Sequence, residues 1–315
     1  MVQCYDLFTS VFFFLENLSN NSRSILAANC TLERLGIASD DIEDIKKIYS
    51  AKILKPFVTA FDHFDQNSES FGQIRFRQQD LDNITDGGID VGMITEICGE
   101  AGSGKSQICI QLALNVQMNS TEGGLNGKAV FISTEQPFPS SRLAEMEKCL
   151  NSSKCYSSNI FLSHYMTGES LTDCIVHKLP RLLESHPTIK LIIIDSIAGA
   201  FRLEKDYIKR ANLMRKMIEK LEFLANKYNF AVVITNQIYS ATSNGLEVNN
   251  PAMGLAWANL IGTRLQLFRT NQMTSKSSNS DSKSNRVRHM KVIFSPRLPQ
   301  ATGKFIITTS GITEF

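Results

Sequence analysis

The sequence contains no Cys-x-x-Cys pair, and its five histidines show no zinc-ligand spacing with one another or with the seven cysteines. That argues against a structural metal. The cysteines (Cys4, Cys30, Cys98, Cys109, Cys149, Cys155 and Cys174) are odd in number and spread through expected strands and helices. Reduced thiols fit that pattern better than a disulfide framework. No apolar run is long enough to cross a bilayer as a helix, so no membrane partner is expected. The opening MVQCYDLFTSVFFFLENL has a short apolar centre without a basic flank, and reads as a buried or partner-facing helix. Net charge is only +2, so an anionic partner has to be met by a local basic patch rather than the whole surface.

What is present is ordinary for a globular chain: 43% apolar and 20% charged in 315 residues, enough for one large domain with a smaller companion. Residues 39–55 begin with cap-type residues and then place Ile42, Ile45, Ile48 and Tyr49 on one helical face. A small helical N-terminal domain over 1–55 follows from this, with a linker over 56–73 that includes the polar stretch DHFDQNSESFGQ.

From 74 to 315 the pattern alternates β and α. MITEIC, KAVFIS, NIFLSHY, IKLIIID and FAVVITN are too continuously apolar for strands with one wet face. They predict a mainly parallel sheet between helices. DYIKRANLMRKMIEKLEFLANKY is a helix with Met214, Met217, Ile218, Leu221 and Leu224 on one side. After Asn259, TRLQLFR, RHMKVIF and GKFIITTSGI read as a closing antiparallel set, with the Ser/Asn/Lys-rich TNQMTSKSSNSDSKSNR as a hairpin loop.

Residues 99–106, GEAGSGKS, carry the chemistry most directly. Gly99, Gly104, Lys105 and Ser106 match a phosphate-binding loop, with Glu100, Ala101, Gly102 and Ser103 forming the turn and Gln107 following it. Glycines let backbone N–H groups turn inward, the lysine meets phosphate oxygens, and the hydroxyl can ligate Mg²⁺. A strand precedes the loop and an apolar helix follows, as such a loop requires. Asp195 ends IKLIIID, where a carboxylate can order the water shell of the magnesium. Glu135 follows the strand KAVFIS, where it could orient or deprotonate water or serve only as a solvated carboxylate. Asn236-Gln237 ends FAVVITN at the same sheet edge.

Taken together, these motifs resemble the RecA/RadA superfamily of homologous-recombination ATPases in its eukaryotic branch, over about residues 55–315. The resemblance also takes in the TE-x-x-F step at 134–138, LIIIDS, AVVITNQ and SPRLP. VFISTEQPFPSSRL, NPAMGLAWANL and VIFSPRLPQATGKFIITTSGI are similar to one paralogue group of that branch. The implied fold is α/β, a RecA-like P-loop ATPase core with a mainly parallel central sheet, antiparallel C-terminal strands and a small helical N-terminal domain. The implied cofactors are ATP and Mg²⁺, the metal held by Ser106 and Asp195. By the same resemblance Glu135 and Lys105 are catalytic, Arg142 lies against adenine, and Gln237 senses the γ-phosphate. Pro296 and Pro299 cap a neighbouring subunit's nucleotide.

Phe57 and Ala60, in FVTA, match a family motif that adds an edge strand to the next protomer. Of the two implied DNA-facing loops, the first, 202–211, keeps Arg202, Lys205, Lys209 and Arg210, a group that reads equally as a solvated helix start. The second, 239–257, has no lysine or arginine, and Asn259 and Phe294 replace a histidine and an acidic residue of active recombinases. The resemblance thus implies a nuclear, ATP-binding paralogue that assists recombinase filaments in double-strand-break repair and meiosis. Its expected partners are another recombinase paralogue of the C type, the main recombinase, and single-stranded or branched DNA, in a hetero-oligomer with slow DNA-dependent ATPase activity. An autonomous strand-exchange recombinase and a subunit using ATP only structurally remain open.

Overall fold

The computed structural model describes residues 59, 72–150, 154–243, 246–274 and 285–315. Every element below belongs to the unit that begins at Asn67. The expected N-terminal helical domain, Phe57 and Ala60 lie outside the described residues.

A short ribbon of β1 (Gln73–Ile74) and β2 (Ile89–Asp90) brackets helix α1 (Gln79–Ile84). Then come β3 (Ile94–Gly99), α2 (Lys105–Asn115), β4 (Lys128–Ser133), α3 (Ser140–Cys149) and β5 (Ile160–His164). Helices α4 (Gly168–Asp173) and α5 (Leu179–Ser185) are joined through a π-helical turn, Cys174–Lys178. The chain continues with β6 (Ile189–Asp195), α6 (Ile197–Phe201), α7 (Tyr207–Tyr228), β7 (Ala231–Ser243), β8 (Leu246–Pro251) and α8 (Gly254–Ala258). It closes with β9 (Thr263–Met273), β10 (Arg286–Phe294), β11 (Thr302–Thr308) and β12 (Gly311–Thr313).

The main sheet runs β12-β11-β10-β9-β3-β7-β6-β4-β5, parallel from β9 to β5 and antiparallel from β9 to β12. Alternate residues of its central strands enter two separate cores. Phe131, Leu191, Ile193 and Val233 pack with Ile108 and Leu112 of α2. Val130, Ile132, Ile192, Ile194, Val232 and Ile234 pack with Met214, Met217, Ile218, Leu221 and Leu224 of α7. A sheet dry on both faces explains the unbroken apolar strands, and each buried Ile or Leu contributes roughly 1.5–3 kcal/mol. Asp206 caps α7 by accepting from the Ile208 and Lys209 amides, and Asn229 ends it in the left-handed conformation at φ 53°.

Two sequence expectations need correction. NIFLSHY was expected to be buried on both faces, but β5 is the edge strand, and Leu162 is 52% exposed. Among the described residues β5 has one strand neighbour, β4, so its other side is open. FAVVITN was expected to end at Asn236-Gln237, yet β7 runs on to Ser243 and pairs antiparallel with β8 as a hairpin over part of the second implied DNA loop. The continuous apolar run stops before Asn236, so the local pattern does not mark the extension, which pairs with β8. Residues 275–284 of the Ser/Asn/Lys-rich stretch lie outside the described residues, while β9 and β10 pair antiparallel on either side. Among the described residues no helix is long and apolar enough to cross a membrane.

Candidate nucleotide site

β3, buried along its length, delivers Gly99 to the carboxyl end of the parallel strands, the edge at which open α/β sheets bind ligands. A Cβ at Gly99 would stand 2.6 Å from Ser103 Oγ and 2.9 Å from the Leu267 carbonyl oxygen, so the loop closes only over hydrogen. Gly104 starts α2 at φ 110°, a left-handed conformation that glycine adopts without steric cost. Among the described residues no side chain caps α2 and none partners the buried Ser103 hydroxyl, and the first turn of α2 has no acidic residue. A free helix start with an orphaned hydroxyl beside it suits a phosphate group.

Lys105 folds back over this loop, its Nζ donating to the Gly99 and Glu100 carbonyls at 2.7 and 2.9 Å. Burial lowers its pKa from the ordinary lysine value, and Asp195 is the chief charge opposing that shift. Ser106 Oγ donates to Asp195 Oδ2 at 2.6 Å, and the Thr235 hydroxyl donates to Asp195 Oδ1. The hydroxyl and carboxylate expected to serve Mg²⁺ are therefore adjacent. Among the described residues no three His, Cys, Asp or Glu side chains gather into a metal cage. A hydroxyl with one carboxylate fits a magnesium ion that takes its other ligands from phosphates and water.

Glu135 sits two residues beyond β4, where its Oε1 accepts from Arg202 and from Gln237 Nε2, each at 2.8 Å, and from Ser196 Oγ at 3.3 Å. Gln237 is the register partner of Gly99, which brings its amide to the phosphate-loop edge. Thr134 holds the β4 and β6 ends together, donating to the Ser196 carbonyl at 2.6 Å while accepting from its amide at 3.0 Å. A Cβ at Gly199 would stand 2.4 Å from Glu135 Cγ, so glycine lets the carboxylate lie against α6. Asn236 is directed elsewhere, donating to Glu96 and to the Ala252 carbonyl inside the core.

Arg142 on α3 is pinned from several directions. Its Nε donates to Gln107 Oε1 at 2.8 Å, Nη1 donates to the Thr309 carbonyl at 2.9 Å and to Glu145 at 3.0 Å, and Nη2 donates to the Thr308 carbonyl. Gln107 thus positions the arginine, and the guanidinium lies between α2 and the β11–β12 turn. A planar group held this way can stack on an aromatic base.

Of the four cations in the first implied DNA loop, Arg202, Lys209 and Arg210, the three expected to meet DNA, are not equivalent. Arg202 pairs with Glu135 at the site edge. Lys209, in the first turn of α7, pairs with Glu169 at 2.5 Å and Glu204 at 3.1 Å, and Arg210 lies over the Tyr207 ring at 4.9 Å. Pro296 and Pro299 are far from the chain's own phosphate loop in register. β10 runs against β9 and ends with Phe294 opposite Arg264, which is itself the register partner of Glu96 near the start of β3. Beyond it, Arg297 anchors the segment to Asp86, Asp90 and the Thr85 carbonyl, leaving both prolines exposed at that opposite end of the strands.

Thr235 and Glu96 escape sequence reasoning. Thr235 is recognisable only once register sets it beside Asp195. Glu96, in MITEIC, is fully buried and accepts from Asn236, Trp257 Nε1 and Arg264, so it joins the phosphate-loop strand to β7, α8 and β9. A lone carboxylate in an apolar strand was the available signal.

Comparison with known proteins adds an independent line. The Rad51 family model matches residues 69–315. A DNA repair protein XRCC3 homolog of Arabidopsis thaliana is 33% identical over 273 residues, 74% of this chain and 90% of that protein. The DNA repair protein XRCC3 of Mus musculus is 29% identical over 313 residues, 89% of this chain and 88% of that protein. These relatives match the paralogue group that the sequence stretches resemble, and the fold is the RecA-like α/β core of this ATP-binding family. The chain belongs to the Rad51 (RecA/RadA) family, among its XRCC3-like recombinase paralogues.

Proposed function

We propose that the protein is an ATP-binding paralogue of homologous-recombination repair that joins a hetero-oligomer and assists recombinase filaments on single-stranded or branched DNA. The observation that carries this reading is the separation of the phosphate loop from Pro296 and Pro299, which leave the sheet at its opposite edge. A site whose matching cap lies out of its own reach is completed by a neighbour, and a nucleotide between subunits then stabilises their assembly. A recombinase paralogue of the C type is the proposed neighbour, the main recombinase the client, and the nucleus the compartment, with a role in meiosis as well as break repair.

Bound Mg-ATP would supply a phosphoanhydride and the anionic charge that this end of the sheet receives. Gly99 to Gln107 form its phosphate cradle, Lys105 offers an ammonium to the oxygens, and Ser106 with Asp195 holds the metal. Arg142 orients the base. Glu135 accepts a proton from water when Arg202 releases it, and Gln237 fixes the same carboxylate from β7. Turnover is slow because that oxygen is shared among Arg202, Gln237 and Ser196. The same sharing favours a second reading, a subunit that holds ATP without hydrolysing it, and equal turnover by wild type and Glu135→Gln would select it. Autonomous strand exchange is disfavoured by a second loop without lysine or arginine. In cells lacking the protein, Lys105→Ala is expected not to restore survival after double-strand breaks. Full restoration overturns the nucleotide part of the proposal.

A further inference from the structure

The face of β9 and β10 that lies beneath α2 changes character at the phosphate loop. Leu265 and Leu267 of β9, with Val292 and Met290 of β10, are buried with the α2 side chains. The next positions on that face are Arg269 and Arg288, which register sets directly opposite one another. Leu267 pairs with Gly99, so the arginines begin where the loop begins. Contacts agree: a Cβ at Gly104 would lie 3.6 Å from Arg288 Cδ and 3.8 Å from its Nε, and one at Gly102 would lie 3.6 Å from Arg269 Nη1.

Neutralisation here is incomplete. Among the described residues, Glu100 pairs with Arg269 at 3.2 Å, both side chains being well exposed. Arg288 donates to the Arg286 carbonyl at 3.1 Å, while its buried Nε has no partner among the described residues. Burial, then Arg286 and Arg269, lower the Arg288 pKa from its ordinary value. Like charges facing each other across an antiparallel pair destabilise it, and a buried donor without an acceptor adds to that cost. A cluster unfavourable to folding that converges on Gly102 and Gly104 fits a shared anion.

We propose that Arg288, together with Arg269, binds phosphate oxygens of the nucleotide held on the 99–106 loop. The inference rests on the nucleotide reading above and extends it to two residues of the C-terminal antiparallel strands. Phosphate then ties β9 and β10 to α2, so nucleotide binding tightens the half of the sheet from which the Pro296 segment departs.

The test uses the full-length chain and Mg-ADP and Mg-ATP titrations, with thermal melting before and after nucleotide. Arg288→Gln is expected to weaken both nucleotides roughly tenfold to a hundredfold, as for lost charge-assisted hydrogen bonds, with Arg288→Lys intermediate. Without nucleotide, Arg288→Gln should melt at or above the wild-type temperature, which a merely structural arginine would not allow. Should Arg288→Gln fail to fold, Arg288→Lys and Arg269→Gln carry the same comparison. Wild-type affinity in these variants, within twofold, overturns the proposal. If that affinity comes with weakened subunit association, the arginines serve a neighbour's carboxylates and the proposal also fails. A wild-type chain that binds no nucleotide sinks the nucleotide reading itself, and this proposal with it.

Discussion

Arg202 Nη2 lies 2.8 Å from Glu135 Oε1, joining the carboxylate assigned to proton transfer to a cation of the first implied DNA loop. The two side chains are 48% and 35% exposed, so solvent screening limits the pair to about 1 kcal/mol or less. A contact this weak costs little to exchange for another anion.

On the proposed reading, exchange of Arg202 from Glu135 to a DNA phosphate would make hydrolysis depend on DNA. Arg202→Ala is expected to raise phosphate release without DNA a few-fold and to flatten its stimulation by single-stranded DNA. Glu135→Gln should lower turnover roughly a hundredfold, within the usual range for a lost general base. Unaltered DNA stimulation in Arg202→Ala would show that the pair does not link the two sites.

Glu96 is a stability residue on a strand that serves chemistry. Glu96→Ala removes the carboxylate that accepts from Arg264, Asn236 and Trp257 and leaves the buried Arg264 charge uncompensated. The cost expected is about 3–5 kcal/mol. Urea unfolding followed by fluorescence of the single tryptophan, whose indole donates to Glu96, measures it directly. A loss below about 1 kcal/mol would contradict the buried pair.

The thiols should separate by pH and by access. Burial pushes Cys98 up to about 12 and Cys109 well above the ordinary thiol value, whereas a hydrogen bond with Ser157 lowers exposed Cys155. At pH 8, iodoacetamide should label Cys155 rapidly and leave Cys98 and Cys109 intact, as read by peptide mass spectrometry. Comparable labelling of Cys98 in the folded chain would refute the burial of β3.

Partner binding and nucleotide binding should come apart at the linker. Phe57→Glu places a charge where the resemblance puts an aromatic anchor, so co-purification with a C-type paralogue should fall at least tenfold while Mg-ADP affinity stays within twofold. Retention of the partner by Phe57→Glu would remove FVTA from the interface.

Much of this molecule is local in origin. The α7 stripe from Met214 to Leu224 needs only 3.6-residue periodicity, and the phosphate loop needs only glycines, a lysine and a hydroxyl at fixed spacing between a strand and a helix. Asp195 was legible for the same reason, as the polar end of an apolar run. β5 misled because an edge strand and a central strand can share a composition, and only the count of neighbours distinguishes them. The Arg202–Glu135 pair spans 67 positions, and nothing in either neighbourhood indicates the other.

The sequence by itself determined which groups are present and where the central strands, the phosphate loop and helix α7 form, because spacing and side-chain chemistry act over a few residues. Tertiary structure decided which groups meet: Thr235 with Asp195, Arg202 with Glu135, Arg288 with Gly104, and the proline segment with the far edge of the sheet. Those outcomes depend on strand order and register, which are fixed by burying two cores at once rather than by any local stretch of chain.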